Sequence, residues 1–293
     1  MLEVAGVTKV FKTGALGRGQ TTAVSDVSFA VVPGEVLSLI GESGSGKTTV
    51  GRMILRLTGV TDGRISFDGH DLAHLGRRDL HRYYSRVQGV FQDPFSSYNP
   101  VFKVDRVLGM IRGSYLRALS AAEWETKLRT SLEAVSLERA DVLGKFPHQL
   151  SGGQLQRLMI ARALLLDLQF LVADEIISML DASTRIDVLN LLGDLRARGV
   201  GILFITHDLS LGNYISDRTL IMRRGRIVEM GATEKVYGRP AHPYTQMLLS
   251  SVPQLGERWH TGPVGPSQPD DLDADLPLIQ LEDDHYAAIQ GES

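Results

Sequence analysis

Cysteine is absent from the 293 residues of this chain. Disulfides, thiolate metal sites and cysteine nucleophiles are therefore excluded, and the absence fits a reducing compartment. Long apolar runs are missing as well. Ala163–Val172 is broken by Asp167 and Gln169, and it falls short of the roughly 20 apolar residues that span a bilayer. Met1-Leu2-Glu3-Val4 has neither the basic start nor the apolar run of a secretory signal, so no export is expected. Basic residues vanish at the end: residues 270–293 carry eight acids (Asp270, Asp271, Asp273, Asp275, Glu282, Asp283, Asp284, Glu292) and no Lys or Arg. The other 26 acids face all 31 basic residues, leaving the body at about +5 while the whole chain stands at −3. So mild a charge selects no partner. The hydrophobic share of 43% and charged share of 22% are those of an ordinary globular protein with ample core.

What is present is a phosphate-binding pattern. Gly41-Glu42-Ser43-Gly44-Ser45-Gly46-Lys47-Thr48 fits G-x-x-x-x-G-K-[ST], with Thr49 directly behind it. The apolar run Val36–Ile40 predicts a buried strand leading in, and Thr48–Leu57 predicts a helix leading out. Glycines let consecutive backbone N–H groups turn toward phosphate oxygens, and the helix N-terminus adds its positive end. In such a loop Lys47 reaches the β- and γ-phosphates and the Thr48 hydroxyl binds Mg²⁺. Binding of a nucleoside triphosphate is expected.

The pattern around the loop alternates. Strands are predicted at Leu2–Val7, Ala23–Val32, Val36–Ile40, Arg64–Phe67 and Val87–Phe91. From Val104 to about Leu143 the spacing turns helical, with Ser120 and Glu123 as a capping box ahead of Trp124, Leu128, Leu132 and Val135. Helix Gln154–Leu166, strand Phe170–Ala173, helix Ala182–Ala197 and strand Gly201–Thr206 follow. Strands separated by helices imply an α/β fold with a mostly parallel sheet covered on both faces. The helical insert, about residues 100–165, reads as a subdomain. Pro240 and Pro243 bracket the start of a last short helix, and residues 254–293 read as an acidic tail or appendage. No internal repeat is visible.

Two further segments carry chemistry. Phe170-Leu171-Val172-Ala173-Asp174-Glu175 ends an apolar strand with two carboxylates, of which Asp174 is suited to Mg²⁺ and Glu175 to polarising a water. Leu150-Ser151-Gly152-Gly153-Gln154 opens a helix with a hydroxyl, two unencumbered amides and a side-chain amide, which makes a second phosphate-type nest. One nucleotide does not need two nests. The spare one is expected to serve a nucleotide held by another molecule.

Together these motifs resemble the ATP-binding subunit of an ABC transporter, over roughly residues 1–253. The resemblance implies a P-loop NTPase (RecA-like) core, an N-terminal antiparallel β subdomain and the inserted helical subdomain. It assigns Gly41–Thr48 as Walker A, Phe170–Asp174 as Walker B with Glu175 as catalytic glutamate, and Ser151, Gly152, Gly153 and Gln154 as the signature. Gln92 stands at the Q-loop position, which contributes to the nucleotide and Mg²⁺ site together with Thr48 and Asp174. His207 matches the switch histidine and Asp181 the D-loop aspartate. Phe11 stands where an aromatic stacks on adenine, the alternative being a core residue. Gln92-Asp93-Pro94-Phe95-Ser96-Ser97-Tyr98-Asn99-Pro100, Pro147-His148-Gln149 and His242-Pro243-Tyr244-Thr245-Gln246-Met247-Leu248-Leu249 are similar to the oligopeptide/dipeptide/nickel importer branch.

That likeness implies ATP and Mg²⁺ as cofactors and a head-to-tail sandwich. Each ATP would lie between Gly41–Thr48 of one chain and Ser151–Gln154 of a second ATPase subunit, a paralogue in preference to an identical copy. It also implies two transmembrane permease subunits, an extracytoplasmic solute-binding protein, a peripheral place on the cytoplasmic face of the cell membrane, and no nucleic acid. The solute stays open among peptides, nickel and oligosaccharides. The alternative is a non-transport ABC ATPase acting on DNA or the ribosome, but the chain lacks the long coiled-coil insertion or second cassette of such proteins. It also departs from the family. Ile176-Ile177 replace the usual Pro and small residue after Glu175, and Met179 replaces the commoner Ala. These bulkier groups are expected at the dimer seam. Without cysteine, the iron–sulfur cluster of some branch members is impossible here.

Overall fold

Runs such as Val36–Ile40 and Gly201–Thr206, apolar at nearly every position, suit strands buried on both faces. The computed structural model describes residues 1–13, 19–178, 180–251 and 276–290, so Met179, Asp270–Asp275 and Glu292 lie outside the described residues. The chain opens with β1 (Leu2–Thr13) and β2 (Gly19–Val31), and β3 (Val36–Ile40) then runs through the phosphate loop into α1 (Lys47–Ile54). Next come β4 (Asp62–Phe67), the short β5 (His70–Asp71), α2 (Arg77–Arg86) and β6 (Val87–Val90). The helical segment holds α3 (Val104–Tyr115), α4 (Ala121–Glu133), α5 (Arg139–Val142) and α6 (Gly152–Leu164). After it follow β7 (Phe170–Asp174), α7 (Ala182–Ala197), β8 (Gly201–Thr206), α8 (Leu209–Ile215), β9 (Arg218–Arg223) and β10 (Arg226–Ala232). The chain closes with α9 (Thr233–Gly238), α10 (Pro243–Ser250), β11 (Ile279–Glu282) and β12 (His285–Ala287).

Two sheets result. The larger runs β11-β12-β10-β9-β3-β8-β7-β6, and the smaller runs β2-β1-β4-β5. In the larger, β9, β3, β8, β7 and β6 are parallel neighbours, whereas β10, β12 and β11 add on antiparallel. The smaller sheet is antiparallel throughout. Every residue of β3, β7 and β8 is buried. Successive side chains take opposite faces. Leu203 and Ile205 therefore pack with Val4, Phe29 and Met53 of the smaller sheet and α1, whereas Ile202 and Phe204 pack with Leu155, Leu158 and Leu192 on the helical side. Among the described residues, no helix is long and apolar enough to cross a membrane.

Most expected elements are present with ends shifted by a few residues; the expected Val36–Ile40, Ala182–Ala197 and Gly201–Thr206 are found with both ends unchanged. Other elements add to the expectation, among them α2, α8 and α9. The antiparallel pair β9–β10 had no counterpart in the sequence pattern. In the described part of the expected tail or appendage, Ile279–Glu282 and His285–Ala287 form a hairpin whose second strand pairs with β10, Glu229 opposite Ala287. Ile176 and Ile177 are 0% and 3% exposed and belong to the core, so neither reaches the surface as a dimer seam would require.

Phe204 is fully buried at the centre of the parallel strands. Phe204→Ala is expected to cost about 3–5 kcal/mol, measured as a lower urea midpoint at unchanged slope.

Candidate functional site

Parallel strands deliver their carboxyl ends to one edge of the sheet, where crevices between loops accept ligands. Four loops start there: the phosphate loop after β3, Gln92 after β6, Glu175 after β7 and His207 after β8. The phosphate loop is shaped by backbone demands. Gly46, the N-cap of α1, has φ +104°, and a Cβ there would stand 2.4 Å from the Ala23 carbonyl oxygen. At Gly41 an added Cβ would meet the Met222 carbonyl oxygen at 2.1 Å, so the loop lies directly against β9.

Lys47 is 5% exposed and folds back over the loop. Its Nζ donates to the carbonyls of Gly41 at 2.7 Å and Glu42 at 2.8 Å, and to Ser45 Oγ at 3.3 Å. Burial lowers its pKa from the ordinary lysine range, while Glu175, Asp174 and Glu42 oppose that shift. Asp174 is 4% exposed, and burial raises its carboxyl above the usual range. A hydrogen bond from Thr48 and the charges of Lys47 and Arg52 act the other way, and the neighbouring Glu175 adds to the rise.

Glu175 has φ +51°, a left-handed conformation uncommon outside glycine and often found at functional sites. The turn brings its Oε1 within 3.0 Å of His207 Nδ1. His207 is held by its own surroundings: Asp208 caps α8 through Ser210 and Leu211, and the Thr206 hydroxyl accepts the Asp208 N–H. Asp181 caps α7, and hydrogen bonds from Ser183 and Thr184 hold its carboxyl far below the usual range.

The structure thus gathers Gly41–Thr48, Asp174, Glu175 and His207. It does not bring the signature to them. Ser151 caps α6, its Oγ accepting the Gln154 N–H at 3.2 Å while Gln154 Oε1 accepts the Ser151 N–H at 3.0 Å. That helix start borders Leu180 and Phe95, and no hydrogen bond among the described residues links it to the phosphate loop. Phe11 is 40% exposed on β1, with the Lys9 ammonium 4.9 Å from its ring centre. Its exposure rules out the core alternative. Gln92 is exposed; the residue before it is tied to the signature helix by Gln156 Nε2 on the Phe91 carbonyl at 3.2 Å. Gln156 was not anticipated. A polar side chain in an otherwise apolar stretch of α6, 1% exposed, was the available signal.

A family model described as ABC transporter matches residues 24–178, more than half the chain. The chain belongs to the ABC transporter ATP-binding family. A second model, described as the oligopeptide/dipeptide transporter C-terminal region, matches residues 228–275 of the cassette. The oligopeptide transport ATP-binding protein OppF of Streptococcus mutans is 42% identical over 87% of this chain and 82% of its own. The dipeptide transport ATP-binding protein DppF of Lactococcus lactis is 41% identical over 89% of this chain and 85% of its own. Among solved structures, the cassette MJ0796, dimeric after hydrolysis and bound to ADP and Pi, aligns with TM-score 0.72 and 28% identity. The alignment covers 80% of this chain and 99% of that one.

ATP fits the residues present. The start of α1 has no side-chain cap, so its first N–H groups remain for an anion, and the space beside Gly44 is open. Among the described residues no group of three or more His, Cys, Asp or Glu could hold a metal alone. The Thr48 hydroxyl beside the Asp174 carboxylate is instead an incomplete set of hard oxygens. That suits Mg²⁺, which characteristically shares its shell with water and substrate phosphates.

Because ionised Asp174 is costly in the fold, its penalty is absent below the ordinary carboxylate range. It grows as pH rises through the raised pKa. Asp174→Asn is therefore expected to raise the thermal midpoint of the nucleotide-free chain at pH 7, by about 2–4 °C per kcal/mol recovered. The gain should vanish near pH 3, as calorimetry across that range would show.

Proposed function

We propose that this cassette is the ATP-hydrolysing, energy-coupling subunit of an importer for peptides or related solutes. The observation that carries the proposal is the separation of two half-sites within one chain. The phosphate loop, Asp174, Glu175 and His207 cluster at the strand edge, whereas Ser151–Gln154 caps a helix with no hydrogen bond to them among the described residues. A nucleotide bound at the first would be completed by the second from another ATP-binding subunit. The match of residues 228–275 to the oligopeptide/dipeptide region supports the choice of cargo, as do the names of the Streptococcus and Lactococcus relatives.

In this reading Ser43, Gly44, Ser45, Gly46, Lys47, Thr48 and Thr49 cradle the phosphates, and Phe11 stacks on adenine from its exposed face. Thr48, Asp174 and Gln92 would hold Mg²⁺, which would supply positive charge to neutralise the phosphates. Glu175 accepts a proton from the attacking water while His207, 3.0 Å from its carboxylate, orients it and reaches the γ-phosphate. Asp181 orders the crossing between subunits. Exposed Phe95 and Val101, at 50% and 73%, offer apolar contacts to permease subunits at the membrane. A solute-binding protein outside the membrane would supply the cargo.

Glu175→Gln is expected to lower ATP turnover of the assembled complex by about 10²-fold or more with ATP affinity retained, measured by phosphate release alongside calorimetric binding. Unchanged turnover would remove Glu175 from the role of base. Lys47→Ala should weaken ATP binding itself, and wild-type affinity in that variant would contradict the phosphate-loop assignment.

A further inference from the structure

The phosphate loop has an anchor that its own motif does not contain. The Glu42 N–H donates to the Tyr244 hydroxyl at 3.1 Å, across 202 residues of sequence. Glu42 N–H and the Gly41 carbonyl belong to one peptide group, and that carbonyl accepts the Lys47 ammonium at 2.7 Å. A trans peptide is planar, with its N–H and C=O pointing in opposite directions. Holding one end therefore fixes the direction of the other. Tyr244 grips the far side of the same plane that receives Lys47.

Tyr244 is itself held firmly. It is 2% exposed, with the Arg223 guanidinium 4.9 Å from its ring centre. Its N–H donates to His242 Nδ1 at 3.1 Å, in the N-cap of α10. The Ala241 and His242 N–H groups donate to the two carboxylate oxygens of Glu229 at 2.8 and 2.9 Å. Glu229 is fully buried on β10, and its Oε1 lies 2.8 Å from His285 Nε2 on the terminal hairpin. A buried carboxylate with three partners is satisfied. The bonded series thus runs from the hairpin through Glu229 and the start of α10 to the phosphate loop.

We propose that Tyr244 is a positioning residue for ATP binding, acting through the Gly41–Glu42 peptide on Lys47. The inference rests on the proposed function, in which Lys47 binds the phosphates. Without the hydroxyl, the peptide between Gly41 and exposed Glu42 can rotate, and Lys47 loses the fixed carbonyl that aims it. The effect falls on nucleotide capture rather than on Glu175 and His207, which sit on other strands.

Tyr244→Phe removes only the hydroxyl and keeps the ring under Arg223. In the full-length chain it is expected to raise the ATP dissociation constant by about three- to tenfold, the equilibrium worth of one such hydrogen bond. In the assembled complex KM for ATP should rise likewise, with kcat within about twofold. Tyr83→Phe is the control. Its hydroxyl donates to the Ile54 carbonyl at 2.7 Å at the far end of α1, so its loss should lower the thermal midpoint without changing ATP affinity. Wild-type affinity in Tyr244→Phe, or an equal loss in Tyr83→Phe, would overturn the inference while the proposed function stood. Failure of the wild-type chain to bind ATP would overturn both. Amide exchange of the wild-type chain gives a reading independent of any variant. The Glu42 amide should exchange more slowly than that of Ser43, and equal or faster exchange would overturn the anchor.

Discussion

Parallel pairing of β3, β8, β7 and β6 is the constraint on which the rest depends. In a parallel sheet every strand ends on the same side, so four loops far apart in sequence share one edge without any contact being designed between them. Register carries the arrangement into atomic detail: Ile40 lies opposite Thr206, and Asp174 opposite Ile205. The residues just beyond those pairs are Gly41, Glu175 and His207. A slip of one position would turn the alternating core residues to the wrong face. Burial on both faces of the strands therefore protects the geometry of the site as well as the stability of the fold.

Electrostatics at that edge reflect what is to be bound. Lys47 sits among carbonyl oxygens with Asp174 and Glu175 near, and burial works against the charged forms of both Lys47 and Asp174. The protein holds a cation and an anion in partly desolvated positions, bonded by neutral groups of the loop. Such a site is a cost to folding that ligand contacts offset, in keeping with the general tension between stability and activity.

The sequence made much of this legible, for identifiable reasons. β3, β7 and β8 were visible because strands buried on both faces need no alternation. β9 and β10 were not, because arginines at their ends leave only short apolar runs; Arg218, for one, donates to distant Glu35. The polar helix α2 was hidden for a similar reason. The acids near residue 282 suggested a solvated tail, yet His285 points inward to buried Glu229. Within the site, short motifs picked out residues that the fold gathers at one strand edge, since backbone conformation and local spacing create those nests. The surroundings were harder. Ile176 and Ile177 look like surface substitutions until the left-handed turn at Glu175 directs them into the core. Only the tertiary fold brings Tyr244 beside Glu42.

The reciprocal cap at the start of α6 has a consequence for how two such chains would meet. Ser151 Oγ already accepts the Gln154 N–H, so its own proton is left to donate outward, and the Gln154 side chain is bound back at the same time. Both rotamers are chosen before any encounter. A partner's phosphate would find a rigid mould, and little side-chain entropy would be lost when the surfaces close. Loosening that cap would leave the recognised chemical groups unchanged while slowing the rate at which a productive pair forms.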